Sequence, residues 1–226
     1  MSSPVQMRVA EIWRYPIKSM RGERLDRALL GADGVQGDRL VQVFLPNGQV
    51  ATARRYPRLL ALSGTLDASD GPLVNGLPWD SRDAAALVAA ATTPGARLAM
   101  SEEHRFDILP LLVATDGAVS AFGHDGRRLR PNIVVGGVDG LTEREWEGAT
   151  LEIDDVRIAL ADLRGRCVMT TVDPDTNALD PEVLRSIVRR FEGRLALNAD
   201  VARGGAIAVG DPVRIVMPAT AEAAFV

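Results

Sequence analysis

The feature that most constrains this chain is its punctuation. Short apolar runs are broken by Gly, Pro, Asn and Asp at a spacing of about 8–12 residues, the pattern of a protein built from many short strands. Met7–Arg14 alternates roughly with period two and predicts a first strand, ended by Pro16. Leu25–Leu30, Leu40–Leu45, Leu59–Leu66, Leu73-Val74, Pro110–Ala114 and Ile133–Val135 predict further strands. Pro46-Asn47-Gly48 is a tight-turn signal, and Asp154-Asp155 joins Leu151–Ile153 to Val156–Leu160 as a hairpin. Ala206–Val209 and Val213–Val216 flank a Gly-Asp-Pro turn and close the series.

Helical signals are few. Asp80 or Ser81 caps an Ala-rich run that ends at Ala91 before Pro94-Gly95, and Thr115-Asp116 opens a short helix through Phe122. Asp180-Pro181 is a cap followed by Pro at the first helical position; Val183, Leu184, Ile187, Val188 and Phe191 then form one apolar stripe, with Arg185, Arg189 and Arg190 opposite. The expected fold class is α+β, predominantly β and rich in barrel-type sheet, with few short helices.

Composition removes several function classes. A chain of 226 residues can bury a sizeable core as one large domain or two closely joined small ones. No apolar run approaches the roughly 20 residues of a spanning helix, so no membrane span is expected. Pro4, Gln6, Arg8, Glu11 and Arg14 interrupt any signal-peptide core, which makes the cytoplasm the expected compartment. A net charge of −4 argues against general nucleic-acid binding, so any anion site must be local. One cysteine excludes an intramolecular disulfide and a four-thiolate iron–sulfur cluster, and with His104 and His124 alone to add, a Cys/His zinc site is not expected. Electrons for any redox chemistry must come from elsewhere.

The single cysteine sits in Arg164-Gly-Arg-Cys-Val-Met-Thr-Thr-Val-Asp-Pro-Asp-Thr176. Read as an extended strand, this places Cys167, Met169 and Thr171 on one face and Arg166, Val168 and Thr170 on the other. A guanidinium beside a thiol favours the thiolate, the form that binds soft metals and attacks electrophiles, although a lone cysteine is also commonly a small buried apolar residue. Asp173, in the following turn, is a candidate proton donor or simply a turn former. Other polar clusters occupy turns: Lys18 and Ser19 after Pro16, Arg39 in Gly37-Asp38-Arg39, and Arg130 with Asn132 around Pro131. Pro131 predicts an extended backbone at Arg130, whose guanidinium could then grip a phosphate bidentately while Asn132 adds an amide.

Five ordered segments, YPIKSMRG, GVQGDR, RLRPNIVVGG, RGRCVMTTVDPDT and GGAIAVGDPV, together resemble the MOSC (molybdenum cofactor sulfurase C-terminal) proteins that carry an N-terminal β-barrel domain. That group includes the mitochondrial amidoxime-reducing components and bacterial YcbX-like proteins. The resemblance implies a smaller N-terminal β-barrel-type domain over residues 1–105 packed on a MOSC β-barrel over residues 106–226. It implies a molybdenum cofactor (Mo-molybdopterin) with Cys167 as protein ligand to the metal. Cofactor contacts would come from Lys18, Ser19, Arg39, Arg130, Asn132, Arg166, Thr171 and Asn198. The expected function is reduction of N-hydroxylated or related S–O compounds, small molecules, with electrons from a separate flavin or iron–sulfur reductase. A carrier that holds the cofactor, or a sulfur atom on Cys167, without turnover is the alternative; a barrel that has lost the cofactor is a third. The chain departs from the family pattern at Ile108-Leu109, at Gly165 and at Leu195-Ala196, where relatives carry small polar residues or Phe-Gly.

Overall fold

A computed structural model describes residues 6–101, 103 and 105–218; His104 lies outside them. The first strands are β1 (Arg8–Arg14), β2 (Glu23–Leu25), β3 (Arg27–Gly31), β4 (Gly34–Val35) and β5 (Val41–Phe44). Then come β6 (Gly64–Leu66), β7 (Pro72–Val74), β8 (Leu77–Pro78), helix α1 (Arg82–Ala91) and β9 (Arg97–Met100). The second half runs β10 (Leu111–Thr115), α2 (Asp116–Phe122), β11 (Ile133–Gly136), β12 (Thr150–Ile153) and β13 (Val156–Gly165). It ends with α3 (Pro181–Phe191), β14 (Arg194–Arg203), β15 (Gly205–Ala208) and β16 (Arg214–Val216). The fold is β-rich α+β, as expected.

All three helices begin where their caps predict. The Ser81 hydroxyl accepts from the Ala84 amide at 3.2 Å, Thr115 from Ala118 at 3.0 Å, and Asp180 from Glu182 at 3.0 Å, each satisfying one of the orphan amides of a first turn. The α3 stripe, however, divides. Val183, Ile187 and Phe191 are buried against Phe122, Leu129 and Leu195, whereas Val188 is 56% exposed.

The large sheet has the order β16-β12-β13-β14-β10-β11-β1-β2, antiparallel except for the β10–β11 pair, whose crossover contains α2. It also curls back on itself. The Val9 amide donates to Asp211 O at 2.9 Å and the Val213 amide to Met7 O at 2.9 Å, so the segment running into β16 pairs with the start of β1. This bending encloses a core of Val9, Ile12, Leu111, Ile133, Leu151, Ile158, Leu197 and their neighbours. Because β1 lies within the large sheet beside β2 and β3 pairs with β15, the first strands, Arg8–Arg14, Glu23–Leu25 and Arg27–Gly31, are structurally shared with the C-terminal half. A second core, from Ile17 and Met20 through Val41, Leu59, Val88 and Ala96, belongs to the remainder of the N-terminal half.

Two expected extended segments are not strands. Pro57–Ala61 is a 3-10 turn, which Pro57 starts by fixing φ at the first position, and only Gly64–Leu66 of the Leu59–Leu66 run pairs. The second lies at Cys167 and reshapes the site. Among the described residues no helix is long and apolar enough to cross a membrane.

Candidate active site

β13 pairs with β14 up to Gly165 and Arg194, and the Arg166 amide still reaches Gly193 O at 2.8 Å. Beyond Gly193 the chain turns into α3, so no partner remains for a longer strand. Cys167 instead opens a 3-10 turn, Val168–Thr171. The Thr170 and Thr171 hydroxyls fold back onto Cys167 O at 2.9 Å and Val168 O at 2.7 Å, giving the turn's carbonyls the partners a neighbouring strand would have supplied. The expected alternation of Cys167, Met169 and Thr171 on one face is therefore corrected: Thr171 is buried, its hydroxyl engaged in the turn, and it does not share a wall with Cys167.

Cys167 is half-buried and lines a cleft between the two halves of the chain. Lys18, Ser19, Arg39, Arg130, Asn132 and Arg166 line this cleft, so seven of the expected site residues, Cys167 included, are brought together from four sequence segments. Arg54, Asp107, Arg128 and Arg164 line it too and were not nominated from sequence. Arg164 stood beside the cysteine motif, but Arg54 and Asp107 belong to irregular segments with no motif around them.

Three of the lining residues hold left-handed backbone: Ser19 (φ 70°), Arg39 (φ 52°) and Arg130 (φ 57°). Non-glycine residues pay about 1 kcal/mol or more for this, and such strain persists only where the surroundings enforce it. For Arg130 the finding corrects the expected extended backbone before Pro131. Arg130 caps the 3-10 turn Gly126–Leu129, its amide donating to Arg127 O at 3.0 Å. Its guanidinium lies 4.2 Å over the Tyr15 ring and donates to Met20 O at 2.7 Å. The two N-terminal turns are stitched together by Arg39 N to Tyr15 O at 2.8 Å and Val41 N to Pro16 O at 3.1 Å, which holds Ser19 and Arg39 on the same cleft.

Tyr15 owes its position to a glycine. A Cβ at Gly22 would stand 2.3 Å from Arg14 O and 2.5 Å from the Tyr15 ring. Gly22→Ala is expected to cost about 2–3 kcal/mol by overpacking, read as a lowered urea midpoint with an unchanged slope.

Asp38, fully buried, accepts from the Tyr15 amide at 2.6 Å and pairs with Arg39. Asn132, also fully buried, accepts from the Leu112 amide at 3.1 Å and donates to Trp13 O at 3.4 Å and Asp38 Oδ2 at 3.3 Å. Its side-chain amide is thus spent on the scaffold, tying β10, β1 and Asp38 together at the cleft wall. Asn198 does not line the cleft; it accepts from Arg164 at 2.9 Å and donates to Asp162 at 3.0 Å, and so aims Arg164.

The electrostatics are one-sided. Asp107 is the one acidic side chain among the lining residues described; it is 3.3 Å from Lys18, 2.5 Å from Arg54 and 3.4 Å from Arg164. Burial pushes its pKa up, but Lys18, Arg54 and Arg164 outweigh that and hold it below the ordinary carboxylate value. Arg54 is held above the ordinary arginine value, first by a hydrogen bond to the Cys167 sulfur. Arg130 and Arg166 are held by main-chain carbonyls, Arg166 by Leu129 O at 2.6 Å, and the buried Arg166 Nε has no hydrogen-bond partner. Burial lowers Arg166 to about 10, still charged at neutral pH. Two enclosed guanidiniums without carboxylates are a surplus of positive charge that an anionic group would offset.

Asp173 stands apart from the cleft. Its carboxylate accepts from the Thr176 amide at 2.9 Å, the Thr176 hydroxyl at 2.9 Å, the Asp175 amide at 3.1 Å and Arg128 at 2.8 Å. These bonds, those from Thr176 first, hold its pKa at about 2, so at neutral pH it carries no proton to donate, and the donor expectation is corrected. A folded pKa below the ordinary 3.8 gives stability that is present above about pH 4 and lost as pH falls toward 2. The stability difference between wild type and Asp173→Asn is therefore expected to be full at neutral pH and to shrink across that window in thermal melts. His124 is exposed, its ring 5.0 Å from Phe122, remote from this chemistry.

Residues 6–105 match the MOSC N-terminal beta barrel domain and residues 111–214 the MOSC domain. The human protein named mitochondrial amidoxime-reducing component 1 is 27% identical over 91% of this chain and 82% of its own length. Mitochondrial amidoxime reducing component 2 from Macaca fascicularis is 26% identical with the same coverage. The crystal structure of the YuaD protein from Bacillus subtilis superimposes with a TM-score of 0.51 at 14% identity, covering 95% of this chain and 98% of that one, a likeness of fold. With both domain types present in order and filling the chain from residue 6 to residue 214, the chain belongs to the MOSC family, in the form that joins a MOSC N-terminal beta barrel domain to a MOSC domain.

Proposed function

We propose that this chain is a molybdenum-cofactor oxidoreductase that reduces N-hydroxylated compounds, or related S–O compounds, with electrons from a separate flavin or iron–sulfur protein. The observation that carries the reading is the excess of positive charge around the one thiol: among the described residues Arg130 and Arg166 are held by main-chain carbonyls with no carboxylate, while Lys18, Arg54 and Arg164 share the single carboxylate of Asp107. A phosphorylated pterin with a thiolate-bound metal has the complementary charge and softness. The relatives' names supply the substrate class.

When bound, the cofactor supplies two-electron chemistry at an N–O bond that no side chain can perform. The overall change is R–NHOH + 2 e⁻ + 2 H⁺ → R–NH₂ + H₂O. Cys167 Sγ would ligate the metal, a soft donor for a soft metal site. Lys18, Ser19, Arg39, Arg130 and Arg166 bind and orient the anionic cofactor. Asp107 keeps Lys18, Arg54 and Arg164 in place, and Asn132 and Asn198 act as positioning residues. The test is to produce the protein in cells that make the cofactor, measure molybdenum per chain, and assay benzamidoxime reduction with reduced methyl viologen. About one metal per chain with turnover is expected; metal without turnover would make the protein a carrier, and protein without metal would overturn the reading.

A further inference from the structure

Among the described residues nine large apolar side chains are strongly exposed, and three of them, Val168, Leu179 and Val188, line one groove together with Leu184. Val168 is 44%, Leu179 59% and Val188 56% exposed. The groove is floored by the half of the α3 stripe that the core leaves uncovered, and apolar patches left contiguous on a surface mark contact sites. Its first wall is the residue after Cys167, whose Cα lies about 3.8 Å from that of Cys167.

The rim has a sign. Arg185 and Arg189 border the groove and share Glu182, so α3 carries three arginines against one glutamate in a chain whose net charge is −4. Arg54 and Arg164, which line the cleft with Cys167, share the single carboxylate of Asp107, so two guanidiniums stand against one acid there too. An apolar centre with a basic rim, beside the sulfur, fits a protein with an exposed apolar contact and an acidic surround.

We propose that this groove is the docking face for the electron donor, a small acidic one-electron carrier, which rests on the reaction proposed above. Each turnover takes two electrons and two protons, so such a carrier docks twice, is oxidised by one electron each time, and reaches the site through the turn that holds Cys167. The rim charges speed encounter and make it salt-sensitive, while the apolar centre sets the lifetime of the complex.

The probe is a flavodoxin, acidic and small, titrated calorimetrically into the cofactor-loaded protein at low and moderate salt. Binding that weakens as salt rises, and that falls at least tenfold in Val188→Glu and in the double variant Arg185→Glu/Arg189→Glu, is expected. Benzamidoxime turnover with reduced methyl viologen should stay within twofold of wild type in both variants, and their melting temperatures should match it. No flavodoxin binding to the wild type, equal binding to the variants, or a change confined to self-association in sedimentation would overturn the proposal. Intact binding without viologen-driven turnover would instead sink the reaction and leave the docking face standing.

Discussion

Cys167→Ala is expected to lower molybdenum content and N–O reduction by at least about 100-fold while leaving the fold intact. Groups that merely orient a metal's ligands already cost about 10–100-fold when removed, so loss of the ligand itself belongs at or beyond the upper end. The stability half of the prediction comes from local geometry. The Cys167 side chain makes no cap hydrogen bond; the turn is held through its carbonyl, which accepts from the Thr170 amide at 3.0 Å and hydroxyl at 2.9 Å. Alanine preserves both bonds, and for a half-buried side chain of similar size the change in unfolding free energy should stay within about 0.5 kcal/mol. Elemental analysis beside a urea melt separates the two effects. Full metal content in Cys167→Ala would remove the cysteine from the coordination shell.

Local signals made the helices and most strands legible, because capping residues, Pro at a first position and tight turns act within a few residues. The segment around Cys167 departs from its local pattern for a reason local signals cannot contain. Val-Met-Thr-Thr-Val has strand composition, but a strand needs a partner, and β14 has no residues left to offer beyond Arg194. Arg130 is the same lesson in a single residue: the proline after it disfavours helical backbone, yet the Tyr15 ring and Met20 O, about 110 residues away in sequence, hold it left-handed. The motif arginines and Lys18 could be found because turn chemistry surrounds them. Arg54 and Asp107 could not, since each matters through partners distant in sequence: Arg54 through Asp107, and Asp107 through Lys18, Arg54 and Arg164.

Asp38 is the residue on which the predicted stability effect is largest. Its carboxylate is fully buried and meets three partners: the Tyr15 amide, Arg39 and Asn132. Asp38→Ala strands a buried backbone donor, removes the counter-ion of Arg39 and frees one end of the Asn132 amide. Breaking a buried pair from one side costs about 3–5 kcal/mol. The lower end applies, because the Arg39 side chain keeps 17% exposure and rests near the Tyr15 and Phe106 rings at 5.5 and 5.7 Å. An unfolding free energy about 3 kcal/mol below wild type, from denaturant titration, is the expected result. Asp38→Asn should fall between the two, since an amide oxygen can still accept from Tyr15 but no longer balances the guanidinium. The two variants also separate scaffold from charge. If Asp38→Asn keeps most of the stability and loses bound molybdenum, Asp38 serves the site by aiming Arg39; if both properties fall together, its role is to hold the Tyr15 and Asn132 junction where β1, β10 and the cleft meet.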